Sequence, residues 1–226
     1  MSLVCFPHAG GTAAAFASWP EGLPERVEVL AVQYPGRASR LGEPLVKRMD
    51  VLAHRIAEAL AGLRDRPLAL FGHSMGAAVA FEVARRLEAI DPSAVRSLFV
   101  SGLVAPHRLR PAEIDLDDDD ALMAEILRLG ATEDLLLAND ELRCLFLEPV
   151  RNDCWLMETY EARTRPRLRT PVTAFVGDGD ARAIPDDVRS WEELTEGGFT
   201  LRVFPGGHFY LVEQRAALLR EIARLL

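Results

Sequence analysis

Ser74 is the residue around which chemistry is expected. It sits in Leu68-Ala69-Leu70-Phe71-Gly72-His73-Ser74-Met75-Gly76, which runs on into Ala77-Ala78-Val79-Ala80-Phe81-Glu82-Val83-Ala84. An apolar run, Gly-x-Ser-x-Gly and an alanine-rich segment read as strand, sharp turn and helix. Such a turn lifts a serine hydroxyl clear of the sheet edge. Gly72 and Gly76 fit points where strand and helix come too close for side chains. The amide of Met75 would open the helix N-terminus and could donate to an oxyanion. The pentapeptide alone is a weak signal, because a glycine-rich turn that binds a phosphate, or nothing, can carry the same letters.

A serine hydroxyl is a poor nucleophile at neutral pH. It needs a base to take its proton, and the base needs an orienting carboxylate. The five histidines, His8, His54, His73, His107 and His208, compete for the first role. His73 adjoins Ser74, but neighbouring residues on such a turn point apart. His54 lies in a helical pattern and reads as structural. His208, in Pro205-Gly206-Gly207-His208-Phe209, follows the last strand pattern, where a base reaches over the sheet edge, and is the expected base. For the carboxylate, Phe175-Val176-Gly177-Asp178-Gly179-Asp180 offers two residues. Asp180 is preferred because the loop has left the strand by that point; Asp178 stays open. A second oxyanion amide is expected in the loop after the first strand, at Ala9 in His8-Ala9-Gly10-Gly11-Thr12, unless that loop is a plain tight turn. His8, Gly10 and Phe209 are the candidate substrate-binding residues, with loop shaping as the alternative for His8.

These residues need a sheet to bring them to one edge. Strand patterns occur at Leu3–Phe6, Val27–Val32, Leu68–His73, Ser97–Gly102, Val172–Gly177 and Thr200–Phe204. Helical periodicity lies between several of them: Leu52, Ile56, Leu60 and Leu63 within Lys47–Leu63, and Leu218, Ile222 and Leu225 within Glu213–Leu226. Short apolar strands alternating with helices predict an α/β fold with a mostly parallel central sheet flanked by helices. From Pro106 to about Arg169 the rhythm changes. Leu122, Ile126 and Leu129 mark one helix, with Asp117–Asp120 near its start and Gly130 at its end; Leu142–Phe146 and Trp155–Tyr160 suggest two more. An all-helical insert at residues 106–169 within a single domain of 1–226 is expected to cap the ligand crevice at the sheet edge.

Length and composition agree with one domain. The chain has 226 residues, 49% of them hydrophobic and 27% charged, with a formal charge of −8. That charge argues against nucleic acid and anionic membrane surfaces as partners. No apolar run reaches transmembrane length, and the N-terminus lacks the basic region of a signal peptide. Cys5, Cys144 and Cys154 have no metal-like spacing and are read as reduced, in a cytoplasmic protein. No dinucleotide, Walker or zinc motif is present, so no cofactor or metal is implied. Arg37 and Arg40 lie on a loop after Tyr34-Pro35-Gly36 and are read as solvated rather than phosphate-binding.

Four segments together, Cys5-Phe6-Pro7-His8-Ala9-Gly10-Gly11, Gln33-Tyr34-Pro35-Gly36-Arg37, Gly72-His73-Ser74-Met75-Gly76 and Pro205-Gly206-Gly207-His208-Phe209, resemble the type II thioesterases of polyketide and non-ribosomal peptide biosynthesis. The resemblance runs nearly the full length, and includes Leu156-Met157-Glu158-Thr159-Tyr160 in the cap. It implies an α/β-hydrolase fold with a helical lid. It also implies a separate hydrolase that removes stalled or aberrant acyl groups from the phosphopantetheine arm of acyl or peptidyl carrier proteins. A monomer is expected. Arg163, Arg165, Arg167 and Arg169, or Arg37, Arg40, Lys47 and Arg48, are the candidate docking faces for an acidic carrier. A carboxylesterase or acyltransferase of the same fold, and a binding protein without catalysis, are the alternatives.

Overall fold

Side chains alternate across a strand, so each apolar strand feeds two layers at once. In the computed structural model, which describes residues 1–63, 66–110, 115–130 and 140–226, six parallel strands do this. They are β1 (Ser2–Phe6), β2 (Glu28–Ala31), β3 (Leu68–His73), β4 (Val95–Ser101), β5 (Val172–Gly177) and β6 (Phe199–Phe204), in the order β2-β1-β3-β4-β5-β6. Val4, Phe6, Leu70, Leu98, Val100 and Ala174 face one core, under α1 (Met49–Leu60) and α2 (Met75–Ile90). Leu3, Cys5, Phe71, Phe99 and Phe175 face the other, against Phe16, Trp19 and the terminal helix.

The strand patterns sit within one or two residues of the observed strands. Two helices differ from expectation. The chain end is a short α6 (Tyr210–Glu213) followed by α7 (Arg215–Leu225), with a short α5 (Pro185–Val188) ahead of β6. In the cap, α3 (Asp119–Leu129) is capped by the Asp118 carboxylate, which accepts from the amides of Asp120 and Ala121, and ends at Gly130 with φ +82°. The two further helical pieces expected there are one helix, α4 (Asp140–Glu158). It runs through Pro149, whose missing N–H deprives the Leu145 carbonyl of its partner. Leu145 is exposed, so water can take that place. Cys5 and Cys154 are free thiols, and the side chain of Cys144 lies outside the described residues.

The strand order places the chemistry. β1 and β3 are neighbours, with Phe6 opposite Gly72, but the chain leaves β1 toward β2 and leaves β3 toward β4. Connections that part in opposite directions open a crevice at the strands' carboxyl ends. The loop after β1 and the turn after β3 therefore face each other across it. The turn is tight: a Cβ on Gly72 would meet the Gly76 carbonyl, and one on Gly76 would meet that of Phe6. Gly72→Ala should lower stability by about 1–3 kcal/mol through overpacking of backbone against backbone. Chemical denaturation of the variant beside wild type measures this, and an unchanged midpoint would contradict the close approach.

Candidate active site

Ser74 occupies the link between β3 and α2, at φ +53° and ψ −124°. Positive φ in a non-glycine residue costs on the order of 1–3 kcal/mol and needs its surroundings to impose it. The Ser74 amide donates to the Ser101 carbonyl at 2.7 Å, which ties the turn to the end of β4. Met75 is the first residue of α2, so its amide is one of the helix's unpaired N-terminal donors. Across the crevice, the Ala9 amide has no hydrogen-bond acceptor among the described residues.

His208 follows β6 and is buried. Its Nδ1 lies 2.8 Å from Asp180 Oδ2. Asp180 is held in turn: its Oδ1 accepts the amides of Arg182 at 2.9 Å and Ala183 at 3.2 Å. Asp178, the alternative carboxylate, does something else. It accepts the Gly206 amide at 3.0 Å, and the Gly179 amide donates to the Gly206 carbonyl at 2.9 Å. The same short segment therefore braces the histidine loop with one carboxylate and orients the ring with the next.

Ser74, Met75, His8, Ala9, His208 and Phe209 share the floor of a cavity of about 1460 Å³, and Leu122, Ile126, Phe146 and Val150 of the cap help to roof it. No hydrogen bond joins Ser74 to His208 among the described residues; such contacts are often long until substrate closes the site. Gly10 lies behind this floor, with its amide on Asp153 at 2.8 Å rather than at the cavity surface. His54 is exposed beside Glu58, and His107 bonds Glu193 at 2.9 Å.

Three imidazoles crowd the floor. The His73 ring centre is 5.0 Å from that of His208 and 6.1 Å from that of His8, and His8 meets Phe209 edge-on at 4.9 Å. His73 is fully buried, with Nδ1 3.0 Å from the Ser101 hydroxyl, which is 2.8 Å from the Tyr210 hydroxyl. Burial first, then His208 and His8, pushes His73 well below the ordinary histidine range. Burial first, then His208 and Arg37, pushes His8 down to about 4. Both rings are therefore neutral at physiological pH, and neither opposes a positive charge on His208.

Arg37, read from the sequence as solvated, is buried. It makes a bidentate pair with Asp153 on α4, at 2.5 and 2.8 Å. Sequence reasoning missed Asp153 because its partner lies 116 positions away. Arg40 pairs with Glu43 and Arg48 with Asp50, so three of the four cations of that candidate docking face are already engaged. In the other, Arg167 donates to the carbonyls of Glu192 and Thr195, while Arg163, Arg165 and Arg169 are exposed. No group of histidine, cysteine and carboxylate side chains that could hold a metal ion occurs among the described residues. No helix among them is long and apolar enough to cross a membrane.

A thioesterase domain model matches residues 1–226. The chain belongs to the thioesterase domain family. It is 42% identical over 222 residues to the thioesterase PikA5 of Streptomyces venezuelae, covering 98% of this chain and 79% of that protein. RedJ, the thioesterase from the prodiginine biosynthetic pathway in Streptomyces coelicolor, is 41% identical with a TM-score of 0.92, over 100% of this chain and 85% of RedJ. BorB, the type II thioesterase from the borrelidin biosynthetic cluster, is 42% identical with a TM-score of 0.90, over 99% and 91%. The likeness spans both sheet and cap, so the floor and roof of the cavity belong to the same family pattern.

The neutral histidines give this thioesterase a pH signature. Unfolded, His8 and His73 take up protons near pH 6.5; folded, they resist doing so. As pH falls below that value the unfolded chain binds more protons, so stability falls with it, down to about 4, where folded His8 titrates. Urea midpoints between pH 7.5 and 4.5 should show this loss, and His8→Gln and His73→Gln should each flatten the slope. A slope unchanged in both variants would show that these rings are not held neutral.

Proposed function

We propose that this thioesterase hydrolyses acyl thioesters from the phosphopantetheine arm of acyl or peptidyl carrier domains, unloading stalled or aberrant chains for a polyketide or non-ribosomal peptide synthase. The observation that carries the proposal is the Asp180–His208 pair beside Ser74 on the floor of a capped cavity. The likeness to PikA5, RedJ and BorB supports the pathway.

In the proposed mechanism His208 Nε2 takes the Ser74 proton as Oγ attacks the thioester carbonyl. Asp180 fixes the ring with its Nδ1 protonated and stabilises the imidazolium that forms. The oxyanion is held by the amides of Met75 and Ala9, each such donor being worth roughly 3 kcal/mol in comparable sites. As the tetrahedral intermediate collapses, the carbon–sulfur bond breaks and the His208 proton passes to the departing thiol. Water then attacks the acyl-Ser74 ester with His208 as base, releasing the acid and restoring the serine. His8 and Phe209 wall the cavity next to His208, where they would bound the arm or the first acyl carbons. The enzyme acts as a separate cytoplasmic monomer, with the carrier domain as its partner.

Ser74→Ala should lower kcat for a short acyl thioester by at least about 1,000-fold while leaving the melting temperature close to wild type, because alanine keeps the Cβ and the same backbone conformation and loses only the hydroxyl. Activity near wild type would remove Ser74 from the mechanism. A panel of acyl-carrier proteins, acyl-CoA and p-nitrophenyl esters tests the substrate, and preference for simple esters would replace the thioesterase reading by a carboxylesterase.

The docking face is tested separately. Reversing the charge of Arg163, Arg165 and Arg169 together should raise KM several-fold for acyl-carrier substrate and leave KM for a small thioester unchanged. Equal effects on both substrates would place carrier docking elsewhere.

A further inference from the structure

A carboxylate of the cap reaches into the loop that carries the Ala9 amide. Asp153 on α4 is 2% exposed and takes four donors: the Gly10 amide at 2.8 Å, the two terminal nitrogens of Arg37 at 2.5 and 2.8 Å, and, at a longer 3.4 Å, the side-chain amide of its neighbour Asn152. Arg37 lies over the Tyr34 ring, 5.5 Å from its centre, and the Tyr34 hydroxyl donates to the Pro7 carbonyl at 3.2 Å. The loop after β1 is thus held at Pro7 by Tyr34 and at Gly10 by Asp153, with His8 and Ala9 between. The Gly11 amide closes it onto the His8 carbonyl at 2.9 Å. Val150, one turn before Asp153 on the same helix, packs where a Cβ of Gly10 would stand. Gly10 has φ +72°, so the loop backbone rests directly on the helix.

We infer that Asp153 is a positioning residue for the oxyanion site: the seated cap helix, through the Gly10 amide and Arg37, keeps the Ala9 amide aimed into the cavity. The site is complete only while α4 sits on the loop. The inference rests on the proposed role of Ala9. An oxyanion donor is effective because it is fixed before charge develops, and misplacement by about 1 Å can cost two orders of magnitude in rate. Ala9 is one residue from the amide that Asp153 holds. Asp153 has no hydrogen bond to Ser74, His208 or Asp180 among the described residues, so its loss should leave the base and its acid alone. Asp153 and Arg37 each lose a buried counter-charge when the other is removed alone, whereas replacing both by apolar residues of similar size is often neutral for stability. That difference separates folding from positioning.

The experiment compares wild type, Asp153→Asn, the double variant Arg37→Met with Asp153→Leu, and Ser74→Ala. It measures kcat and KM on a short acyl thioester, the pH dependence of kcat/KM, the melting temperature, and affinity for a trifluoromethyl ketone analogue that forms a tetrahedral adduct with serine. Asp153→Asn should lose at least about tenfold in kcat with KM within about twofold, and should weaken the ketone by the same factor as kcat/KM, since a transition-state contact is what is lost. Its pH profile should keep the wild-type shape. The double variant should regain most of any lost thermal stability and still show low kcat, because the Gly10 amide has no acceptor. If Asp153→Asn keeps kcat within about twofold of wild type, or the double variant regains kcat together with its melting temperature, the inference is overturned. If Asp153→Asn does not fold, the double variant decides alone. An active Ser74→Ala overturns the proposed function instead, while an inactive one beside an unaffected Asp153→Asn removes only the positioning role.

Discussion

The contact of backbone with backbone at Gly72 and Gly76 is the constraint on which the site depends. β3 can pass into α2 without a loop only if the two segments nearly touch. That closeness forces the residue between them to positive φ. The strain is imposed by a fully buried strand on one side and a helix with a buried face on the other, so it is spread over the whole core. Ser74 is thereby fixed at the one place where β1 and β3 lie side by side and their connections part. The loop after β1 and the start of α2 then face each other across the crevice. The histidine and its carboxylate arrive from β6 and β5 at the far half of the same edge, braced by the Asp178–Gly206 bond.

Charge on this floor is confined to one place. A buried site with three imidazoles could hold several protons, and each would raise the cost of adding the next. Here two are kept neutral. His73 is enclosed by the core and linked through Ser101 to Tyr210, and His8 is desolvated against Phe209. Only His208 has an aspartate on its outer nitrogen. Of the three rings, His208 is therefore the one placed to carry a positive charge beside a carboxylate.

The sheet was legible because its strands are short apolar runs that alternate with helical periods, and these are local properties. The places of Ser74, His208 and the pair of aspartates at the sheet edge were legible because each follows such a run by a few residues. Of the two aspartates, the structure puts Asp180 on His208 and Asp178 on the Gly206 amide. What stayed hidden was set by residues far apart in the chain. Arg37 reads as one more surface cation, and only the fold shows that Asp153 neutralises it in the interior. The tie between the Tyr160 hydroxyl and buried Glu82 is of the same kind, joining the end of the cap to α2 at 2.9 Å. The unbroken course of α4 through Pro149 was hidden for another reason. A proline predicts a lost hydrogen bond but not that the helix must stop there, and here it runs on to Glu158.

The two walls of the cavity are under different demands. The floor must hold angles and charges to within fractions of an ångström, and it is built from strand ends and hydrogen-bonded turns. The roof includes the apolar side chains of Leu122, Ile126, Phe146 and Val150 beside charged ones such as Glu125 and Arg182. The turn of α4 from Val150 to Asp153 touches both walls. Val150 faces the cavity and also fills the space over Gly10, while Asp153 holds the Gly10 amide. A substitution there changes the shape of the cavity and the seating of the loop after β1 together. One turn of the cap helix therefore touches both the cavity and the loop after β1.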